Sequence, residues 1–385
     1  MNSRSRPLLV AHVGFVLTGA ITILLGPILP SLSARWALTD SQAGALFAAQ
    51  FGASLAGTAV SGRLSVRFGF VSALATGFAV VALGLAGLTL PSWPAGVLAV
   101  LLYGGGLGIV IPTANMLVSH LQPHRQAAAL NILNFAWCIG AAATPPAIAF
   151  LLERMGLNAT LWGLSGTVAL LSGWAAVCPG EHRPAGTHRS RAAEWRTGFS
   201  LLSGVLLFLY VGAEMSVSGW IGTYILRRLD DGGVLWAFGT SVLWSAILVA
   251  RLAAPAALRR ISGHALVFAG ACVATGGLAV ILTSRNAAAL FTGVFLTGLG
   301  FGPIFPTVVA NFTGYFGGAA SHIAWFIFAM GGLGGAVVPS LVGQLSTASG
   351  SLQTGLSATV LCILGVVLIE HALRRRASRA VESAL

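Results

Sequence analysis

Twelve long apolar runs, separated by short polar stretches, take up nearly all of this 385-residue chain. They lie at approximately 8–30, 41–61, 70–90, 95–119, 127–152, 158–178, 200–226, 234–254, 264–283, 287–312, 318–342 and 351–371. A helix of about 18 or more apolar residues can cross a hydrocarbon core of about 30 Å, and every run reaches that length. The pattern predicts an all-α membrane protein with twelve transmembrane helices, and it leaves no room for a soluble catalytic domain. The first run follows Arg4 and Arg6, as a secretory signal would. Its apolar stretch exceeds the roughly 7–15 residues of a signal core and more spans follow, so it predicts a retained helix.

One long polar stretch, Pro179 to Gly198, rich in Arg, His, Gly and Pro, separates six runs from six. It predicts a six-helix half at 1–178, a linker at 179–199 and a second half with a basic tail at 200–385. The halves repeat. Gly106-x-Gly108-x-x-x-Pro112-Thr113 recurs 194 residues later as Gly300-x-Gly302-x-x-x-Pro306-Thr307, and Gly140…Pro145 recurs at the same offset as Gly334…Pro339. Gly19-Ala20 matches Gly212-Ala213 at 193, and Arg63-Leu64 matches Arg251-Leu252 at 188. Six spans per half make the repeat parallel, a design that places a solute near the midplane and alternates its access. Ordinary helix packing accounts for single glycines but not for a shared register.

Charge sets the orientation. The sequence is 56% hydrophobic and 8% charged, against about a quarter charged in soluble domains. The formal net charge of +12 comes from 21 basic residues, all arginine. Sixteen fall on the side of the N-terminus and five (Arg35, Arg154, Arg227, Arg228, Arg285) on the other, which predicts both termini in the cytoplasm and a plasma (inner) membrane location. Scattered between spans, these arginines offer no contiguous face for nucleic acid. Cys138, Cys178, Cys272 and Cys362 lack metal or disulfide spacing and suit small packing roles. Tyr103-Gly-Gly-Gly-Leu-Gly108 lies inside a span with no strand before it, so its G-x-G is a packing feature, and no P-loop or serine elbow is present. No cofactor, no metal and no enzyme activity are expected.

Glu214 is the one acid of nine that falls in the middle of an apolar run. A charge at that depth costs about 2.5–3.5 kcal/mol on insertion scales, so such groups line cavities, pair or stay protonated. Proton coupling is the functional expectation, and a permanently hydrogen-bonded carboxyl tying helices together is the plain one. On an ideal helix Tyr210, Val217, Ser218 and Ile221 fall within about 60° of it, whereas Ser216 points away, toward a bond with its own backbone. Trp220 suits packing or an interface anchor. Candidate solute ligands are the mid-span amides of Gln50, Asn131 and Asn134, which can both donate to and accept from hydroxyls. Tyr210 and Ser218 join them, with Trp137 and Trp325 for stacking; interhelical bonding and core filling are the plain alternatives. Asn115, His120, Asn311 and His322 lie toward cytoplasmic span ends, where gating or solvation is expected.

At these residues the chain resembles the major facilitator superfamily. Gly62-Arg63-Leu64-Ser65-Val66-Arg67-Phe68-Gly69 is similar to its signature between the second and third helices, with Val66 where an aspartate is usual and Phe70 where an arginine is usual. The resemblance implies the major facilitator fold, in which this loop helps lock the cytoplasmic side. Gly62, Arg63, Arg67 and Gly69, with Arg251 as repeat mate of Arg63, become gating candidates beside Asn115. Tyr210-VGAE-Met215 with Gly219-Trp220, Leu130-Asn131-x-x-Asn134-Phe135 and Gly300-Phe301-Gly302-Pro303 resemble the fucose permease-like sugar/proton symporters. Members of that branch often carry another acid in the first or fourth helix; neither helix has one here.

The expectation is a secondary transporter moving a small polar solute, a sugar first, by proton-coupled alternating access, in a fold self-sufficient as a monomer. Two alternatives stand. One is an efflux antiporter or translocator of amphiphiles, favoured by aliphatic Val217 and Ile221 beside Glu214 but opposed by Thr144-Pro145-Pro146-Ala147 in place of the efflux glycine motif. The other is a non-transporting receptor on the same fold.

Overall fold

An apolar segment inside a bilayer satisfies its backbone through the internal hydrogen bonds of a helix, and the chain is built that way. The computed structural model describes residues 5–178, 198–229, 235–316 and 320–382, with the side chains of 127, 320–325 and 375–382 outside that set; most of the expected linker therefore lies outside the described residues. In order the elements are α1 (Ser5–Ile23), α2 (Leu25–Trp36), α3 (Asp40–Phe68), α4 (Phe70–Gly87), α5 (Trp93–Leu121), a 3-10 turn (Pro123–Arg125) and α6 (Gln126–Ala176). They continue with α7 (Gly198–Arg228), α8 (Leu235–Ala257), α9 (Gly263–Thr283), α10 (Ala287–Phe301), α11 (Ile304–Phe316), α12 (Ala320–Ser349) and α13 (Leu352–Glu382).

Eleven segments among the described residues are long and apolar enough to cross a membrane. One of them, Ala128–Ala176, has 49 residues and would reach about 74 Å as a straight helix, more than twice the hydrocarbon core. Gly156, at φ 74° and ψ 173°, breaks it into two passes, and the total becomes twelve. Two expected spans are interrupted instead. The run at 8–30 breaks at Leu24, ahead of Gly26 and Pro27, and the run at 287–312 breaks at Gly302 and Pro303.

The chain divides into two units, one of Met1–Thr39 with Ala45–His188, the other of Asp40–Gly44 with Arg189–Leu385. Packing inside each unit follows the sequence repeat. In the first, a Cβ at Gly140 of α6 would stand 1.9 Å from the Val16 carbonyl oxygen of α1; in the second, one at Gly334 of α12 would stand 2.0 Å from that of Phe208 in α7. Gly108 of α5 abuts Ser54 of α3, and Gly302 abuts Ile247 of α8. Gly106 meets Gly77 and Val81 of α4, and Gly300 meets Gly270 and Ala274 of α9. Small residues here let backbones touch, the packing that holds helices together where lipid removes the hydrophobic drive. The repeat extends further. Gly156 and Gly350 are 194 residues apart and both take positive φ, 74° and 69°, which only glycine adopts without strain.

One departure from the repeat matters most. Ile109 in continuous α5 is replaced at the matching position by Pro303, which lacks the N–H a helix needs there, so α10 ends and α11 begins anew. In the second unit Asp40 receives both guanidinium nitrogens of Arg227 at 2.7 Å and the Ser346 hydroxyl at 2.5 Å.

Candidate functional site

The middle of α7 passes through the interior of the second unit, and its small residues let neighbouring helices close around it. Tyr210, Ala213, Val217, Trp220 and Ile221 are all at most 1% exposed, and Glu214 is 5% exposed. Tyr210 stands one turn before Glu214, so both side chains share a face. Its hydroxyl donates to Glu214 Oε1 at 2.5 Å and lies 3.1 Å from the carbonyl oxygen of Phe301, the last residue of α10. A phenol has one proton to give, so it serves these two acceptors one at a time.

Arg251 approaches from α8. Its Nη2 lies 3.9 Å from Glu214 Oε1, and its Nε donates to the Gly302 carbonyl at 3.3 Å. That carbonyl is available because Pro306, four residues on, has no N–H to offer it. Glu214 is therefore not a solitary charge. It faces a phenol and a guanidinium, and pairing of this kind is how ionisable groups persist within a membrane span. Sequence reasoning placed Arg251 at a cytoplasmic gate. The available signal was its position inside the apolar run 234–254.

Ser216, Ser218 and Trp220 of α7 are engaged within the unit. Ser218 Oγ accepts from Trp244 Nε1 at 2.9 Å while its carbonyl accepts from Thr240 at 3.1 Å. Ser216 donates to Gly212 O at 2.7 Å, the backbone bond its helical position predicts. Trp220 Nε1 donates to the Pro339 carbonyl at 3.1 Å. The side chains of Trp325 and His322 lie outside the described residues.

In the first unit Gln50 is buried and uses both ends of its amide. Its Nε2 donates to Thr22 O at 2.7 Å, and its Oε1 accepts from Tyr103 OH at 2.8 Å. Asn131 and Asn134 are exposed on α6, and Asn134 Nδ2 donates to Leu130 O at 2.8 Å. Trp137 is half-buried, and its backbone carbonyl seats Gly19 of α1. Asn115 Nδ2 donates one turn back to Ile111 O at 2.8 Å. Arg63 and Arg67 are exposed at the end of α3, Arg67 resting over the Phe68 ring at 5.1 Å. Gly69, at φ 86°, makes the turn into α4, whereas Gly62 is helical with open space around it. A second buried acid escaped the sequence reading: Glu370 of α13, 2% exposed, pairs with His264 Nδ1 at the start of α9.

The family model of the Major Facilitator Superfamily matches residues 11–339. The chain belongs to that superfamily. As a major facilitator protein it is a multi-pass membrane transporter of small solutes and not an enzyme. Among its relatives, a glucose/galactose transporter of Brucella abortus biovar 1 (strain 9-941) is 27% identical over 367 residues, covering 87% of this chain and 86% of that protein. The fold matches a bacterial homologue of the human lysosomal transporter Spinster, inward-facing and occupied, with TM-score 0.81 at 12% identity over 98% and 97% of the two chains. It also matches the major facilitator transporter FucP in its outward conformation, with TM-score 0.65 at 17% identity over 97% and 99%. At these identities the structural likeness establishes the major facilitator fold.

Proposed function

We propose that this transporter moves a small polar solute, a sugar being the first class to test, by proton-coupled alternating access. The observation that carries this reading is buried, mid-span Glu214 set between the Tyr210 hydroxyl and the Arg251 guanidinium. Such a carboxyl has a partner in either protonation state: a phenol and a cation when ionised, hydrogen-bond acceptors when neutral. The sequence relationship to a glucose/galactose transporter supports the sugar class, as do the fucose permease-like motifs around Glu214 and Asn131. The arginine distribution supports a plasma (inner) membrane location with both termini cytoplasmic, and the six-plus-six repeat supports a monomeric working unit of two halves with 179–199 as their linker.

The test is accumulation of labelled glucose or galactose in proteoliposomes under an imposed pH gradient. Glu214→Gln is expected to abolish gradient-driven accumulation while leaving counterflow exchange. Undiminished accumulation in that variant overturns the proton role. A second reading, export or translocation of amphiphiles, draws on the engagement of Gln50 and Ser218 within their own units and on aliphatic Val217 and Ile221 beside Glu214. Stabilisation of the purified protein by amphiphiles and by no sugar in a thermal-shift panel selects it.

A further inference from the structure

Both side chains that hold Glu214 also hold the break between α10 and α11. Tyr210 reaches the Phe301 carbonyl at 3.1 Å and Arg251 reaches the Gly302 carbonyl at 3.3 Å. These are the last residue of α10 and its C-cap. Pro303 and Pro306 remove the N–H groups that would otherwise bond Leu299 O and Gly302 O, which leaves this stretch the weakest point of its helical ladder. The repeat-related α5 keeps Pro112 but has Ile109 in place of Pro303, and it runs unbroken from Trp93 to Leu121. The acid and the extra proline thus occur in the same unit, linked by two side chains.

We infer that Tyr210 and Arg251 act as positioning residues that transmit the protonation state of Glu214 to the α10–α11 junction, stiffening it when Glu214 is neutral and loosening it when Glu214 is ionised. The inference rests on the reading of Glu214 as the proton site. When the carboxylate is ionised it takes the single phenolic proton and draws Arg251, and both are diverted from the junction. When a proton from solution neutralises it, the carboxyl can donate to the Tyr210 oxygen. The phenolic proton then turns to Phe301 O, and Arg251, relieved of its counter-charge, keeps its bond to Gly302 O. No covalent bond between heavy atoms changes: one proton is gained, the Tyr210–Glu214 hydrogen bond reverses its donor, the phenolic proton is redirected to Phe301 O and the Arg251–Glu214 attraction is released.

The ionisable groups around Glu214 are few. Tyr210 on α7 and Arg251 on α8 act on it. Among described side chains α10 and α12 carry none, α11 carries Tyr315 near its far end, and α13 carries Cys362, then Glu370, His371 and Arg374 toward its end. α9, which packs on α10 and α11, carries Cys272 and, at its start, His264, paired with Glu370; the Glu214→Gln arm separates their titration from that of Glu214.

The experiment places spin labels on either side of the break, at Phe295→Cys of α10 and Thr313→Cys of α11, both exposed, with the four native cysteines replaced. Distance distributions are read from pH 5 to pH 9, and the Glu214 carboxyl is followed in parallel by infrared difference against Glu214→Gln. Expected in the wild type is a narrow distribution at low pH that broadens or shifts as the carboxyl band disappears. Glu214→Gln should hold the low-pH distribution at every pH. Tyr210→Phe and Arg251→Lys, checked as folded by size exclusion, should lose or blunt the pH response although the carboxyl still titrates. A titrating carboxyl with a pH-independent junction in the wild type overturns this inference and leaves the proton-site reading standing. Absence of any titrating band assigned to Glu214 overturns both.

Discussion

A methyl group added at Gly140 is forced into the backbone of the neighbouring helix. The new Cβ would lie 1.9 Å from Val16 O and 3.0 Å from Ala20 N, where ordinary contact begins at 3.4 Å. Restoring that contact moves α1 and α6 apart by about 1.5 Å at this point, and the obstructing atoms are backbone, which has no rotamer to change. A radial gap of only about 0.5–1 Å forfeits a quarter to a half of each dispersion contact. Overpacking of this kind costs about 1–3 kcal/mol. Gly166 on the same α6 supplies the control, because a Cβ there meets nothing within 4 Å and alanine gains up to about 1 kcal/mol of helix propensity. The propensity gain applies at both helical positions and cancels, so Gly140→Ala should fall below Gly166→Ala by roughly 1–3 kcal/mol. Reversible unfolding by SDS titration in mixed micelles, read by tryptophan fluorescence, measures the difference. The repeat-related Gly334→Ala, at 2.0 Å from Phe208 O, should lose a similar amount. If Gly140→Ala is as stable as Gly166→Ala, these glycines are not close-packing contacts and the structural reading of the repeat is wrong.

Three further outcomes are expected. Gly69→Ala places a side chain at φ 86° and ψ 161°, a region left almost entirely to glycine, and should cost about 1–3 kcal/mol, whereas Gly62→Ala in open helical space should not destabilise; thermal melts in detergent separate the two. His264→Ala leaves the buried Glu370 carboxyl without its partner and should cost about 1–3 kcal/mol, with Glu370→Gln milder because a neutral amide is cheaper to bury. Pro303→Ala restores a backbone donor at the α10–α11 break and should raise the melting temperature while slowing transport; a faster rate would argue against any need for the break.

The periodicity of apolar runs made twelve helices and a two-fold repeat legible because both are local or near-copy properties of the chain. Hydropathy alone divides 127–152 from 158–178, and Gly156 is the residue that breaks α6 between them. The positive-φ pair of Gly156 and Gly350 could have been found at the same 194-residue offset. The interruptions at Leu24 and at Pro303 were less legible, since intramembrane prolines are often accommodated without ending a helix and Pro112 in α5 is accommodated in that way.

The sequence by itself determined the membrane class, the number of spans, the internal repeat and the one acid placed deep in a run, because length, hydropathy and recurrence are written residue by residue. Only the tertiary structure decided what that acid meets. Arg251 arrives from another helix along a long flexible side chain, and the Phe301 and Gly302 carbonyls become available through the break that Pro303 and Pro306 create. Gln50 shows the same limit in the other unit, where Tyr103 and Thr22, distant in the chain, take up both ends of its amide. Hydrogen bonds and ion pairs depend on atoms brought within about 3–4 Å across helices, and that proximity is a property of packing, which no single segment specifies.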